Sequence, residues 1–119
     1  MAVKARLVAF GELKIEGKQY KRDVVIDGGE IRQRDKGPSK ALYSRSGHTP
    51  LTTAEQIPWG GKRLVIGTGA RGQLPIAPDV REEAERRGII IEALPTSEAC
   101  GLLADIDPAD VYAILHVTC

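Results

Sequence analysis

The sequence is short of cysteine, and it has neither an excess of one charge sign nor a long apolar run. Its two cysteines, Cys100 and Cys119, are too few for a disulfide framework and give no metal-binding spacing. A reducing compartment is therefore the simpler expectation. The near balance of 17 basic and 16 acidic side chains argues against a general nucleic-acid-binding protein.

No segment approaches the roughly 18 apolar residues that span a bilayer. The N-terminus MAVKARLVAF also lacks the long apolar stretch of a signal peptide. We therefore expect a cytoplasmic protein with no membrane insertion and no nucleic-acid partner.

The composition that remains is typical of a folded domain. The chain has 119 residues, of which 42% are hydrophobic and 28% charged. This length is the commonest size for one domain, so residues 1–119 are predicted to form a single domain. The charges are uneven along it, because residues 1–48 hold 11 basic and 6 acidic side chains and the rest hold 6 and 10. A local basic surface is therefore compatible with the balanced total.

The first 60 residues favour antiparallel strands with one polar face. Three segments alternate loosely or stop at Gly and Asp-Gly, and the firmest turn is at residues 27–29. Residues 35–51 are rich in Gly, Pro, Ser and cations and are predicted to be a long irregular connection. Residues 51–57 are expected to form a short helix capped by Thr52 or Thr53.

After Gly61 the pattern becomes β-α-β-α-β. The strand segments are nearly continuous aliphatic runs, which is typical of burial on both faces of a sheet. Asp79 and Glu82 have the spacing of a capping box for the first helix, and Thr96 or Ser97 is expected to cap the second. The predicted fold class is α/β, with a mixed central sheet, N-terminal antiparallel hairpins and helices against one face.

Residues 67–72, GTGARG, fit the G-x-G-x-x-G spacing of a dinucleotide-binding turn, and Glu92 follows about twenty residues later. That motif needs a helix to begin at its third glycine, so that helix amides hold the pyrophosphate. Pro75 and Pro78 each lack an amide donor and disfavour helix at the preceding residue, so no helix is expected before Pro78. Too few strands follow for two dinucleotide-binding halves. We therefore predict no Rossmann fold and no nucleotide cofactor.

The segments GGEIR, GHTPL, LVIGTG, Pro95-Thr96 with Ala99, and LHVTC occur together and in this order over nearly the whole chain. In that combination the sequence resembles a small domain family of unknown biochemical activity. Its animal members include the adipogenesis-associated domain protein and a mitochondrial respiratory complex I assembly factor.

The resemblance implies a three-layer β/β/α fold around a mixed sheet, no established cofactor, and in animals an assembly or adaptor role. The animal proteins have tryptophans just after the GG turn, where this chain has Gln33 and Asp35 in a longer, more basic loop. The chain therefore looks more like the prokaryotic branch, and the partner surface of the animal proteins is not carried over.

A candidate ligand pocket follows if the basic loop folds over the glycine turn. It would bring cations beside free amides and bind a small anion. The residues named for it are Lys40, Arg45, His48, Thr68, Gly69, Arg71 and Thr96. For His48, packing or hydrogen bonding to the main chain is the alternative to a role in proton transfer or anion contact.

No catalytic residue, metal site or cofactor is predicted. His116 and Cys119 point to opposite faces of a strand, since their separation is odd. Cys100 belongs to an apolar helix stripe and is expected in the core. Trp59 is expected to be a packing anchor before the next strand, with ligand stacking as the alternative.

Three functions remain open at this level. The first is a protein-binding or assembly module without catalysis, with an unidentified partner and a monomeric or small homo-oligomeric state. The second is a binder of a small anionic metabolite at the Gly67–Gly72 turn, and the third is an enzyme that uses His48 or His116 as an acid-base group.

Overall fold

A computed structural model describes residues 3–42 and 49–119. Within these ranges, the N-terminal half contains five strands and one helix, and the C-terminal half contains three strands, two helices and a 3₁₀ turn at Pro108–Asp110. In chain order they are β1 (Ala5–Ala9), β2 (Glu12–Ile15), β3 (Lys18–Tyr20), β4 (Val24–Asp27), β5 (Glu30–Gln33), α1 (Gly37–Leu42), β6 (Arg63–Gly67), α2 (Pro78–Arg87), β7 (Ile90–Leu94), α3 (Thr96–Leu103) and β8 (Tyr112–Leu115).

The strands form two sheets. The small sheet is antiparallel, in the order β1-β2-β3. The large sheet has the order β5-β4-β8-β6-β7 and is mixed, because β4 runs antiparallel to both β5 and β8 whereas β6 is parallel to β7 and β8. This arrangement confirms the predicted α/β class, with N-terminal hairpins followed by a β-α-β-α-β unit.

The large sheet lies between two apolar cores. Successive strand residues face opposite sides, and on β6 Val65 enters one core whereas Leu64 and Ile66 enter the other. The first core also contains the small sheet and α3, through side chains such as Leu13 and Leu103. The molecule therefore has three layers, with the large sheet in the middle.

The two long helices lie on opposite faces of the large sheet, which corrects the expectation that helices cover one face only. Val80 of α2 packs in the core with Leu64, whereas Ala99 of α3 packs in the core with Val65. The strand order explains the difference. The chain moves outward from β6 to β7 through α2 and then back across β6 to β8 through α3. Because both crossovers are right-handed by default, reversing the direction changes the face.

Residues 35–57 differ from the sequence prediction at both ends. The segment predicted as irregular contains α1, whose first residue donates its N–H to Asp35 Oδ1 at 3.0 Å. The helix predicted at residues 51–57 is absent. Instead Thr52 Oγ1 accepts from the N–H of Ala54 at 3.2 Å in a local turn, and the Glu55 carboxylate is drawn into a buried polar cluster. Local hydrogen bonds therefore support α1 and the turn at Thr52, and a tertiary bond to Arg34 holds Glu55 in place.

The predicted side-chain caps are also wrong. Helix α2 begins at Pro78, as predicted, but no side chain caps it. Asp79 instead accepts hydrogen bonds from the N–H and hydroxyl of Thr53. Helix α3 follows Pro95, again without a side-chain cap, because the Thr96 hydroxyl is used elsewhere.

No helix among the described residues has both the length and the apolar character needed to cross a bilayer.

Candidate functional site

A buried arginine joins two loops near one end of the large sheet. Arg34 follows β5 and is 4% exposed. Its guanidinium donates to both carboxylate oxygens of Glu55, at 2.7 and 2.9 Å, and to Asp23 Oδ2 at 2.9 Å. Such a two-pronged arginine contact is among the stronger protein hydrogen bonds and fixes the planes of both groups.

The cluster extends beyond the arginine in both directions. On one side, Asp23 pairs with His116 Nδ1 at 2.7 Å and accepts from the N–H of Val117 at 3.0 Å. On the other side, Ser39 of α1 donates its hydroxyl to Glu55 and lies 2.7 Å from the hydroxyl of Thr52. We call Asp23, Arg34, Ser39, Thr52, Glu55 and His116 the buried polar network.

The charges in this network stabilise one another. Burial alone would raise the pKa of Asp23, but the hydrogen bond and charge of His116, the N–H of Val117 and the charge of Arg34 outweigh it, so the pKa lies below its ordinary value. Burial alone would lower the pKa of Arg34, but Glu55 and then Asp23 raise it overall. Asp23 and Arg34 are therefore held as ions.

A cleft of about 550 Å³ opens beside the network. We call it the basic cleft, because four cationic side chains line it in addition to Arg34: Lys21, Arg22, Lys36 and Lys40. The rest of its lining comes from the ends of β4 and β5, from the first residue of α1 and from the segment after β8, namely Asp23, Gln33, Asp35, Gly37, Val117 and Thr118.

The four cations of the basic cleft have no carboxylate partner within the described ranges 3–42 and 49–119. The residues outside those ranges include no Asp or Glu in the sequence. Asp23 is committed to Arg34 and His116, and Asp35 Oδ1 accepts from the N–H of Gly37. The cleft therefore has a positive surface, and the charges in its floor are already neutralised.

Residues 116–119, which we call the 116–119 strap, lie between the basic cleft and the glycine turn at residues 67–72. The strap crosses the turn and accepts its amides: Ala70 N–H bonds to Thr118 O at 2.7 Å, and Arg71 and Gln73 N–H both bond to Cys119 O. Gly69 N–H bonds to the hydroxyl of Thr96 at 2.8 Å. These amides serve the chain itself, and no helix follows them before Pro78.

The predicted pocket residues divide into separate groups. Lys40 lines the basic cleft, whereas Thr68, Gly69 and Thr96 form the glycine turn and its support, and Thr68 and Thr96 are buried there. The Arg71 side chain is exposed at the turn. Arg45 and His48 lie outside the described residues. The strap separates the basic cleft from the turn, since Val117 and Thr118 line the cleft and Thr118 bonds to the turn.

The predictions for Cys100 and Trp59 agree with the structure. Cys100 is 3% exposed in the core, and burial raises the pKa of its thiol to about 11, so it is not a nucleophile at neutral pH. Trp59 was expected to be a packing anchor. It packs against the core beneath α2, and its ring lies 5.2 Å from the guanidinium carbon of Arg87.

The sequence reasoning named His116 and Thr52, in other roles, and missed the buried polar network that they form with Asp23, Arg34, Ser39 and Glu55. Asp23 and His116 each adjoin a run of buried aliphatic residues, β4 and β8, and that position was the one available signal. Arg34 and Glu55 give no local signal, because their pairing joins residues 21 apart. Among the described residues no three His, Cys, Asp or Glu side chains come together as metal ligands.

Comparison with protein families gives one match, to the model described as "Protein of unknown function (DUF498/DUF598)", over residues 6–102. No curated protein matches the chain.

Solved structures with the same fold include three that match nearly the whole chain. A conserved hypothetical protein from Pyrococcus horikoshii is 31% identical, with a TM-score of 0.72 and full coverage of both chains. A protein called MT938 is 25% identical, with a TM-score of 0.70 and coverage of 99% and 100%. A Mth938-like domain from Bordetella pertussis is 14% identical, with a TM-score of 0.59 and coverage of 94% and 85%, and supports the fold alone.

Proposed function

This chain belongs to the DUF498/DUF598 family of proteins of unknown function, and on that premise we propose that it is a binding domain that recognises an acidic segment of a partner protein at the basic cleft, with no reaction of its own. The single observation that carries the proposal is the set of four cations around the cleft without carboxylate partners in the described chain.

The floor of the basic cleft is suited to holding these cations in place. Arg34 ties β5 to the loop that contains Glu55, and Ser39 ties α1 to the same carboxylate. Lys36 and Lys40 lie just before and within α1, so their main chain is fixed to the network although their side chains are exposed. A rigid scaffold with long cations at its rim favours recognition of carboxylates through charge.

The network also supports binding rather than catalysis. A general acid or base must reach a substrate with a free proton or lone pair. Here the carboxylates of Asp23 and Glu55 are saturated by Arg34, His116 and Ser39, and these side chains are buried. The exposed charged groups that face the cleft are three lysines, one arginine and the single carboxylate of Asp35, so cations predominate.

A small anionic metabolite is the second candidate ligand, because a cleft of about 550 Å³ has the size of a small-molecule site. We assign it to the basic cleft rather than to the Gly67–Gly72 turn, because the amides of that turn already bond to the 116–119 strap and to Thr96.

Binding of a blocked hexaglutamate peptide, measured by calorimetry at low and at physiological salt, tests the proposal. Citrate and inorganic phosphate provide the small-anion arm. A Lys36→Ala/Lys40→Ala variant should weaken peptide binding about tenfold or more. The Lys18→Ala/Lys62→Ala control removes the same charge from exposed lysines that do not line the cleft and should bind nearly as the wild type does.

Preference for the peptide over citrate supports the protein-binding function, and tighter citrate or phosphate binding supports the metabolite instead. Either ligand should bind more weakly as salt rises, since the attraction is between charges near the surface. If neither binds at low salt, or if the two double variants lose affinity equally, the basic cleft is not the recognition site.

A further inference from the structure

Strand β5 is an edge of the large sheet, and within the described chain it pairs only with β4. The two strands are joined by Gly28 and Gly29, whose φ angles of 61° and 99° are those of a two-residue type I′ turn. In such a hairpin the residues beside the turn, here Asp27 and Glu30, form a hydrogen-bonded pair, and hydrogen-bonded pairs alternate along the ladder.

That alternation leaves two residues of β5 directed away from β4. Ile31 and Gln33 point their N–H and C=O groups to the open side, and no main-chain hydrogen bond from elsewhere in the described residues reaches them. An open row of main-chain donors and acceptors is the feature to which an extended peptide adds as a further strand.

Two clefts lie along this edge on one face of the sheet. Ile31 lines a cleft of about 470 Å³, the apolar cleft, together with Val3, Ile26 and Pro108 and with the neighbouring Lys4, Glu16 and Gly29. Gln33 lines the basic cleft. Because side chains two residues apart on a strand share a face, the two clefts are spaced for alternate side chains of one added strand.

We propose that the partner binds as an extra strand antiparallel to β5, with a carboxylate facing the basic cleft and, two residues later, an apolar side chain in the apolar cleft. This assignment rests on the proposed function and specifies its ligand as an extended acidic-x-apolar segment. The antiparallel direction continues the pattern of β4 and β5, and it places the acidic residue first because β5 runs from Ile31 to Gln33.

Charge favours an acidic partner over a second copy of the chain on this edge. A second β5 strand would bring residues 30–36, which hold three basic and two acidic side chains and so offer no excess of carboxylates to the cations of the basic cleft. An acidic strand is instead attracted by Lys36 and Lys40. The surface therefore fits a heterologous acidic peptide better than it fits self-association.

The test uses a fluorescein-labelled, blocked nine-residue peptide of threonines with Glu-Thr-Leu at its centre, and binding is followed by anisotropy. In the proposed ladder the glutamate and the leucine lie opposite Gln33 and Ile31, so their N–H groups bond to β5. N-methylation of either amide should weaken binding about tenfold, whereas N-methylation of the intervening threonine, which faces away, should change it less than twofold.

Substitution of the protein tests the same ladder from the other side. Gln33→Pro removes an N–H that points away from β4, a position where proline is tolerated in an edge strand. This variant should keep its melting temperature within a few degrees and lose peptide binding, whereas Gln33→Ala should bind nearly as the wild type does. If Gln33→Pro unfolds, the N-methylated peptides still decide the matter.

Equal binding of all N-methylated forms would overturn strand addition and leave recognition by charge alone. Binding of hexaglutamate without binding of the Glu-Thr-Leu peptide would overturn it as well, while the proposed function stands. Failure of every acidic peptide would remove both.

Discussion

Arg34 is the residue on which the arrangement of the candidate site depends most. Its guanidinium holds two carboxylates that are far apart in the chain. Asp23 lies just before β4, and Glu55 lies in the segment before β6. Removing one member of a buried charge set leaves the others without compensation, which typically costs about 3–5 kcal/mol. The sequence shows Arg34 as one of many cations, and burial distinguishes it from the others.

The low pKa of Asp23 predicts how stability depends on pH. A carboxyl group whose pKa is lowered by folding adds stability that is present above its unfolded pKa of about 3.8 and is lost as pH falls toward the folded pKa. Asp23→Asn should therefore destabilise the protein by about 3 kcal/mol at neutral pH, and this difference should shrink below about pH 4. Urea unfolding from pH 7 to pH 2.5 measures it.

The exposed residue Asp105 supplies the control, since Asp105→Asn should leave the pH dependence of the wild type unchanged. A difference between wild type and Asp23→Asn that stays constant down to pH 2.5 would contradict the assigned role of the Asp23 charge.

Substitution of Gly69 should lower the free energy of unfolding for a reason unrelated to phosphate binding. Its φ is +109°, and a Cβ atom there would lie 2.2 Å from the main-chain carbon of Cys119 in the strap. Gly69→Ala should lower the free energy of unfolding by about 1–3 kcal/mol or more through strain and displacement of the strap. Gly101→Ala, in the exposed interior of α3 with open space around it, should instead add about 0.5–1 kcal/mol. Similar effects of the two substitutions, measured by urea unfolding, would refute this explanation of the motif.

At the scale of elements, the starts of helices were determined by neighbours as well as by local sequence. Proline placed the first residue of α2, because its ring is compatible with the first helical turn and disfavours helix before it. The capping box expected from Asp79 and Glu82 did not form, because Asp79 bonds to Thr53, 26 residues away. Helix α1 likewise depends on contacts of Ser39 outside its own segment.

The start of α2 gives a prediction that separates a local cap from a tertiary bond. Asp79→Ala should cost about 1 kcal/mol, because Asp79 Oδ2 lies 2.7 Å from the Thr53 hydroxyl. Glu82→Ala should change stability by less than about 0.5 kcal/mol. Unfolding of the Thr53→Ala, Asp79→Ala and double variants should show less than additive losses. Equal losses of stability in Asp79→Ala and Glu82→Ala, with no coupling to Thr53, would support the capping box instead.

At the scale of the whole molecule, residues far apart in the chain meet at one end of the large sheet. The 116–119 strap contacts the glycine turn through Thr118 and the first hairpin through Val117, whose carbonyl accepts from Gly11 N–H at 2.7 Å. The strap also lines the basic cleft. The candidate site is therefore a product of topology, since both sheets and the turn contribute to its support.

Substitution of Thr96 tests whether these distant segments support one another. Its hydroxyl donates to His116 O at 2.6 Å and accepts from Gly69 N–H at 2.8 Å, and the residue is fully buried. Thr96→Val keeps the shape but leaves two buried main-chain groups without a partner, so it should cost about 2 kcal/mol or more.

Thr96→Ser keeps the hydroxyl and is the matched control, with an expected loss well below that of Thr96→Val in urea unfolding. If Val and Ser are tolerated equally, the hydroxyl does not hold α3, the turn and β8 together.

The sequence by itself determined the β-α-β-α-β order after Gly61, the mixed α/β class and the absence of a dinucleotide helix after Gly72, because aliphatic periodicity, glycine turns and proline act over a few residues. Only the tertiary structure decided which face each helix covers, what the glycine-turn amides bond to, and that Asp23 meets His116 across 93 residues. A buried polar contact of this kind depends on how distant segments fold back on one another, and a contact between such distant residues leaves no trace in local residue patterns.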